Sequence, residues 1–147
     1  MRSVYLYRSL CFFEGTNISI GRGTDFPFQA YGSPNLKDGE FNFTPIPKFG
    51  AKNPKHKGVL CVGNDLRKLK MDSLTVIKEL NLNWLVSCYH NSTLTTDFFN
   101  KNNFFNLLAG TDKLMNLIKG GANASQIRDT YQKDLIKFKE LRKKYLL

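Results

Sequence analysis

Acidic side chains are scarce here: 12 Asp and Glu face 22 Lys and Arg in 147 residues, giving a net charge of +10 and an isoelectric point near 9.6. That excess favours an acidic partner, which could be nucleic acid, an anionic membrane surface or an acidic polymer. The cations are spread out, from Lys48, Lys52, Lys55, Lys57, Arg67, Lys68 and Lys70 to a run between Lys133 and Lys144. No nucleic-acid motif is present, and the basic residues are not interleaved with aromatics in one patch, so no nucleic-acid partner is expected. A solvated lysine-rich face accounts for the pattern. Long apolar runs are also lacking. None approaches the roughly 18 residues that a membrane-spanning helix needs. Met1–Phe13 does not form a signal peptide, because Arg8 interrupts it and Leu10–Phe13 is too short for an apolar core.

Cysteine is sparse and odd in number. Cys11, Cys61 and Cys88 are widely spaced in apolar settings, which argues against a disulfide framework; buried free thiols are the simplest reading and a single bridge the alternative. His56 and His90 have no partner at metal-ligand spacing, so no metal and no cofactor are expected. Internal repeats and low-complexity tracts are absent. What the chain does have is 41% apolar residues, 13% aromatic and mostly phenylalanine, enough for one globular domain spanning 1–147.

Strands are predicted mainly in the first half and helices in the second, an α+β domain or the α/β second lobe of a two-lobed enzyme. Val4–Tyr7 reads as a buried strand, and Gly32-Ser33-Pro34 and Lys37-Asp38-Gly39 read as turns. Phe41–Pro47 alternates as a half-buried strand, Phe49–Gly58 is a basic loop expected to be flexible, and Val59–Gly63 is a buried strand. Leu74, Ile77, Trp84, Leu85 and Cys88 recur at helical spacing from an Asp72 or Ser73 cap to Tyr89. Phe98-Phe99 and Phe104-Phe105 are core anchors or a sugar-stacking shelf. Thr111 can cap a short helix to Lys119, stopped by Gly120-Gly121. A last helix, about 124–145, carries the apolar stripe Ile127, Tyr131, Leu135, Phe138, Leu141 and Tyr145, which predicts packing onto the domain, with a helix lying on a membrane as the alternative.

The segment 12–28 stands apart. It gathers Glu14, Arg22, three glycines (Gly15, Gly21, Gly23) and the small polar residues Thr16, Asn17, Ser19 and Thr24 between apolar anchors. Glycine permits positive φ and close backbone approach, so this reads as a shaped polar loop; a hairpin with glycine turns is the plainer alternative. Gly21-Arg22-Gly23-Thr24 lacks the strand–loop–helix context and following lysine of a phosphate loop.

This segment, with Glu14-Gly15-Thr16-Asn17, Ser19, Gly21–Thr24 and Pro27-Phe28, resembles the signature of a bacterial family of exo-β-N-acetylmuramidases, once a domain of unknown function. Ala30–Pro34, Ala109–Leu114 and the closing Leu141–Tyr145 resemble it too. The family usually has proline where this chain has Arg8, which implies a looser turn there. The likeness covers only the C-terminal lobe of such enzymes, with their N-terminal Rossmann-like lobe as the missing partner. It implies a glycoside hydrolase that removes N-acetylmuramic acid from the non-reducing end of peptidoglycan fragments, in a parent that is commonly exported. This stretch carries no signal for its own compartment. On this reading Glu14 is a candidate catalytic residue, and Arg22, Thr16, Asn17, Ser19, Thr24, Gly15, Gly21 and Gly23 line the substrate cleft. Arg22 could select the muramyl sugar by holding its lactyl carboxylate, or could instead pair with Glu14. A non-catalytic muramyl-binding module is the alternative function.

Overall fold

The computed structural model describes residues 1–72 and 79–146. Leu6 and Leu10 lie one helical turn apart and are buried, whereas Val4 and Tyr7 are exposed. That spacing makes Arg2–Leu10 a helix, α1, where the sequence predicts a strand at Val4–Tyr7. Four apolar residues in a row fit either period, and the buried Leu10 beyond them decides for helix. α1 runs straight into a 3-10 turn, Cys11–Gly15, with Phe12 and Phe13 buried.

Three strands, β1 (Ala30–Ser33), β2 (Phe41–Phe43) and β3 (Cys61–Asp65), form an antiparallel sheet in the order β1-β3-β2. Gly32 and Ser33, predicted as a turn, belong to β1 and pair with Gly63 and Val62; the chain turns one residue later, at Pro34. Full burial of β1 explains its shift: a Gly-Ser pair fits against a crossing strand where larger side chains would not. Beside the sheet, Arg67 makes paired 2.9 Å hydrogen bonds to Asp65 and lies 4.2 Å from the Phe26 ring centre. The fold is α+β, with the three strands among the described residues all in the first half and helices throughout.

The helical half comprises α2 (Asn83–Asn91), α3 (Phe104–Ala109), α4 (Lys113–Lys119) and α5 (Ala124–Arg142). The single helix predicted from Asp72 to Tyr89 is not continuous, since residues 79–82 are irregular and α2 starts at Asn83. Ser73, Leu74 and Ile77 of that prediction lie outside the described residues. The Thr111 hydroxyl accepts the Lys113 N–H, and Asn123 with Gln126 forms a reciprocal capping box at the start of α5. Phe98, Phe99 and Phe105 pack into the core with ring centres 5.0 and 4.6 Å apart along that series. They are core anchors. The α5 stripe packs only at its start: Ile127 is buried, but Phe138, Leu141 and Tyr145 are exposed, contrary to the packing expected along its whole length. The helix projects past the domain that its first turns cover. Cys61 and Cys88 are buried and Cys11 half-buried, all as free thiols.

α3 lies directly on the 3-10 turn. A Cβ added to Gly15 would stand 2.5 Å from the Phe105 Cα, closer than any side chain tolerates. Gly15→Ala is therefore expected to cost about 1–3 kcal/mol through overpacking, read as a lower midpoint in chemical denaturation. An unchanged midpoint would show that the turn and α3 can part freely.

Candidate functional site

The polar segment 12–28 is neither helix nor regular strand beyond its first turn. It is tied to its neighbours one bond at a time. The Asn17 N–H donates to the Phe98 carbonyl at 2.8 Å, and Ser19 and Gly32 exchange backbone bonds of 2.8 and 2.9 Å. Thr16 closes the first bend, its hydroxyl donating to the Phe13 carbonyl at 2.9 Å and accepting the Ile18 N–H at 3.2 Å. Thr24 closes the second, donating to the Gly21 carbonyl at 2.6 Å and accepting the Phe26 N–H at 3.2 Å. Gly21 and Gly23 take the left-handed φ of 76° and 83° that such a bend needs. Gly23 also meets the 45–58 loop closely, where a Cβ would be 2.7 Å from the Ile46 carbonyl oxygen.

Two residues that the sequence reading did not single out hold this segment from behind. The Lys55 ammonium donates to three carbonyls of the loop, those of Phe13 (3.3 Å), Ile18 (3.1 Å) and Thr16. His56 follows it, with Nε2 2.6 Å from the Asn17 carbonyl oxygen, so that this nitrogen carries the proton. Burial pulls the Lys55 pKa down to about 8, against the opposing pull of the nearby Glu14 charge, so the ammonium persists at neutral pH. Burial also lowers the pKa of His56, with the Asn17 hydrogen bond opposing and the Lys55 charge adding to the shift. The 49–58 loop, expected to be flexible, is thus pinned through its own lysine and histidine. Nothing local in a Lys-His pair within a Gly/Pro loop signals this, because the partners lie about 40 positions away in sequence.

Glu14 is half-buried and Arg22 is exposed. They do not pair. The cation beside Glu14 is Lys55, and the Arg22 guanidinium instead donates to the Gly50 carbonyl at 3.4 Å. The remaining donors of its fork have no protein acceptor among the described residues. Asn17 and Thr24 are half-buried, Thr16 and Ser19 buried; the Asn17 Oδ1 and Ser19 Oγ atoms are sealed without a hydrogen-bond partner. Asp25 is exposed and ion-paired with Lys48. Among the described residues, no group of three His, Cys, Asp or Glu is placed to hold a metal ion, and no helix is long and apolar enough to cross a membrane.

These elements define a small α+β lobe built around a polar loop with one half-buried acid and one exposed guanidinium. The chain belongs to the family described as exo-beta-N-acetylmuramidase NamZ, C-terminal, whose pattern matches residues 5–147. It is 32% identical over 158 residues to the peptidoglycan beta-N-acetylmuramidase NamZ of Bacillus subtilis (strain 168), a match covering all of this chain and 38% of that protein. Its fold matches the crystal structure of a DUF1343 family protein from Bacteroides fragilis NCTC 9343 at a TM-score of 0.93 and 44% identity, over 100% of this chain and 41% of that one. A second DUF1343 family protein of the same organism shares the fold at a TM-score of 0.65 and 18% identity, over 99% of this chain and 42% of that one. The chain therefore spans about two-fifths of the length of these relatives.

The burial of His56 makes the loop sensitive to acid. Because folding lowers the His56 pKa below its usual 6.5, the unfolded chain binds more protons between the two values. Stability is full above pH 6.5 and falls as pH drops through the folded value. His56→Asn tolerates the residue's left-handed φ of 58° while removing the ring. The loss of Tm between pH 7 and pH 5 should shrink in that variant. An identical slope in both proteins would show that His56 does not titrate with folding.

Proposed function

We propose that this chain is the C-terminal lobe of an exo-β-N-acetylmuramidase, a glycoside hydrolase that takes N-acetylmuramic acid from the non-reducing end of peptidoglycan fragments. In this reading the polar loop is one wall of the active cleft. Glu14, Arg22 and Thr24 face the sugar, while Thr16, Asn17, Ser19, Gly15, Gly21 and Gly23 fix the shape of the loop. The observation that carries it is Arg22, held on a clipped loop with its fork free to take a carboxylate. A planar guanidinium binds a carboxylate through two parallel hydrogen bonds, and the lactyl carboxylate is what separates the muramyl sugar from N-acetylglucosamine.

Glycoside hydrolysis usually needs two carboxyl groups about 5–9.5 Å apart. Of the two in the segment, Asp25 is committed to Lys48, which leaves Glu14 alone. The chain is then half a site, and the second carboxyl comes from the N-terminal part of the parent. The bare α5 stripe of Phe138, Leu141 and Tyr145 is the surface that part would cover. The lone acid equally favours the second reading, a muramyl-binding module without chemistry.

Incubation with a chromogenic muramyl glycoside separates these readings. The chain alone should give no turnover, and the chain mixed with the N-terminal part should cleave it; failure of both the mixture and the full-length parent would leave only the binding module. In the full-length parent, Arg22→Lys should lower kcat/KM for the muramyl substrate by about tenfold or more with Tm nearly unchanged, because the side chain is exposed. A drop in Tm with selectivity intact would make Arg22 structural. Phe138→Glu should weaken association of the two parts without changing the chain's own Tm, and unaltered association would place the contact elsewhere.

A further inference from the structure

Phe49 is the most exposed large apolar residue among the described ones, at 108% of its reference area, yet it does not sit on a loose tip. Lys48 and Ala51 close its turn with reciprocal backbone bonds of 3.1 and 2.9 Å, and Gly50 supplies the positive φ of 78°. Three further contacts pin that turn to the polar loop. Arg22 donates to the Gly50 carbonyl, Lys48 pairs with Asp25, and the Ile46 N–H donates to the Gly23 carbonyl at 2.9 Å. The backbone of Phe49 is therefore held beside Gly50, whose carbonyl the Arg22 guanidinium binds, and its ring is bare. Between the polar loop and β2 lies a groove of about 290 Å³, lined by Phe26, Phe41 and Ile46 and by Thr24, Asn42 and the Asp25–Lys48 ion pair; it adjoins Arg22 through Thr24 and Phe49 through Lys48. That size is near the lower bound for ligand sites, room for one ring with its substituent and too small for a helix or strand of a partner.

We infer that Phe49, with Arg22 and this groove, forms the subsite for one sugar acid: the pyranose lies on the Phe49 ring, its carboxylate meets Arg22, and its N-acyl group enters the groove. The inference rests on the muramyl reading above and adds the residue that supplies the surface for the ring. A pyranose has an apolar C–H face and a polar edge, which suits an aromatic ring beside hydrogen-bonding side chains. Arg22 alone would hold any carboxylate; Phe49 restricts the choice to one attached to a ring with an apolar C–H face. Both side chains are exposed, so replacing them leaves the core intact.

The test is an amide and guanidinium NMR titration of the isotopically labelled chain with N-acetylmuramic acid, and separately with N-acetylglucosamine. N-acetylmuramic acid should shift the signals of Arg22, Phe49 and Gly50 and bind more tightly than N-acetylglucosamine by about tenfold or more, the worth of a charged hydrogen bond. Phe49→Ala should weaken both sugars by a similar factor of about three to ten, and Phe49→Trp should restore them. Arg22→Gln should erase the difference between the two sugars. Shifts confined to the Glu14 end of the loop, or affinities untouched by Phe49→Ala, would overturn the inference and leave the muramyl reading standing. A chain that responds to neither sugar would also overturn the inference, and the muramyl reading would fall with it only if the full-length parent neither bound nor cleaved the muramyl substrate.

Discussion

The ammonium of Lys55 lies among the carbonyls of Phe13, Thr16 and Ile18, and the shape of the polar loop depends on that contact. Buried carbonyls must find donors, and this segment leaves helical geometry at Gly15 without joining a sheet in full. A lysine carries three N–H donors on a compact charge, so one side chain reaches three acceptors that point to a common centre. Burial disfavours the charge, and the nearby Glu14 offsets part of that cost. The same lysine therefore secures the loop beside its half-buried acid.

Around that point the loop divides into an inner and an outer side. Inward it meets the phenylalanine core at Phe98 and Phe105 and the sheet at Gly32. Outward it presents Arg22 and, through the hairpin bound to it, Phe49. The glycines serve the inner side, where Gly15 admits α3 and Gly23 admits the 45–58 loop. The proposed wall for an anionic amino sugar rests on family membership together with that exposed guanidinium.

Sequence patterns revealed those parts of the fold whose cause is local. The Asn123 cap and the Thr111 hydroxyl act within a few residues, and the helices they begin lie where those cues put them; the strand predicted over Phe41–Pro47 starts at Phe41 but ends at Phe43, before its two prolines. The α1 helix was obscured because a four-residue apolar run fits two periods. Burial of Gly32 and Ser33 in β1 was obscured because small residues beside a proline signal a turn as strongly as a close strand crossing. The α5 stripe showed its amphipathic pattern but not how far the domain reaches beneath it. At the candidate site, Glu14, Arg22 and the small polar residues stood out by their clustering. Lys55, His56 and Phe49 did not, because each has its meaning only after residues distant in sequence have come together.

Hydrogen exchange at the amides of Asn17, Ile18 and Ser19, compared between the unaltered chain and Lys55→Met, bears most directly on the clip. Methionine keeps the length and burial of the stem but offers the carbonyls nothing. Loss of hydrogen bonds from a buried charged donor is worth roughly 1.5–3 kcal/mol, so exchange at these three positions should quicken about tenfold or more while the α2 core stays protected. Unchanged protection at Asn17–Ser19 in the methionine variant would contradict the account, since the polar loop would then hold its form without the lysine beneath it.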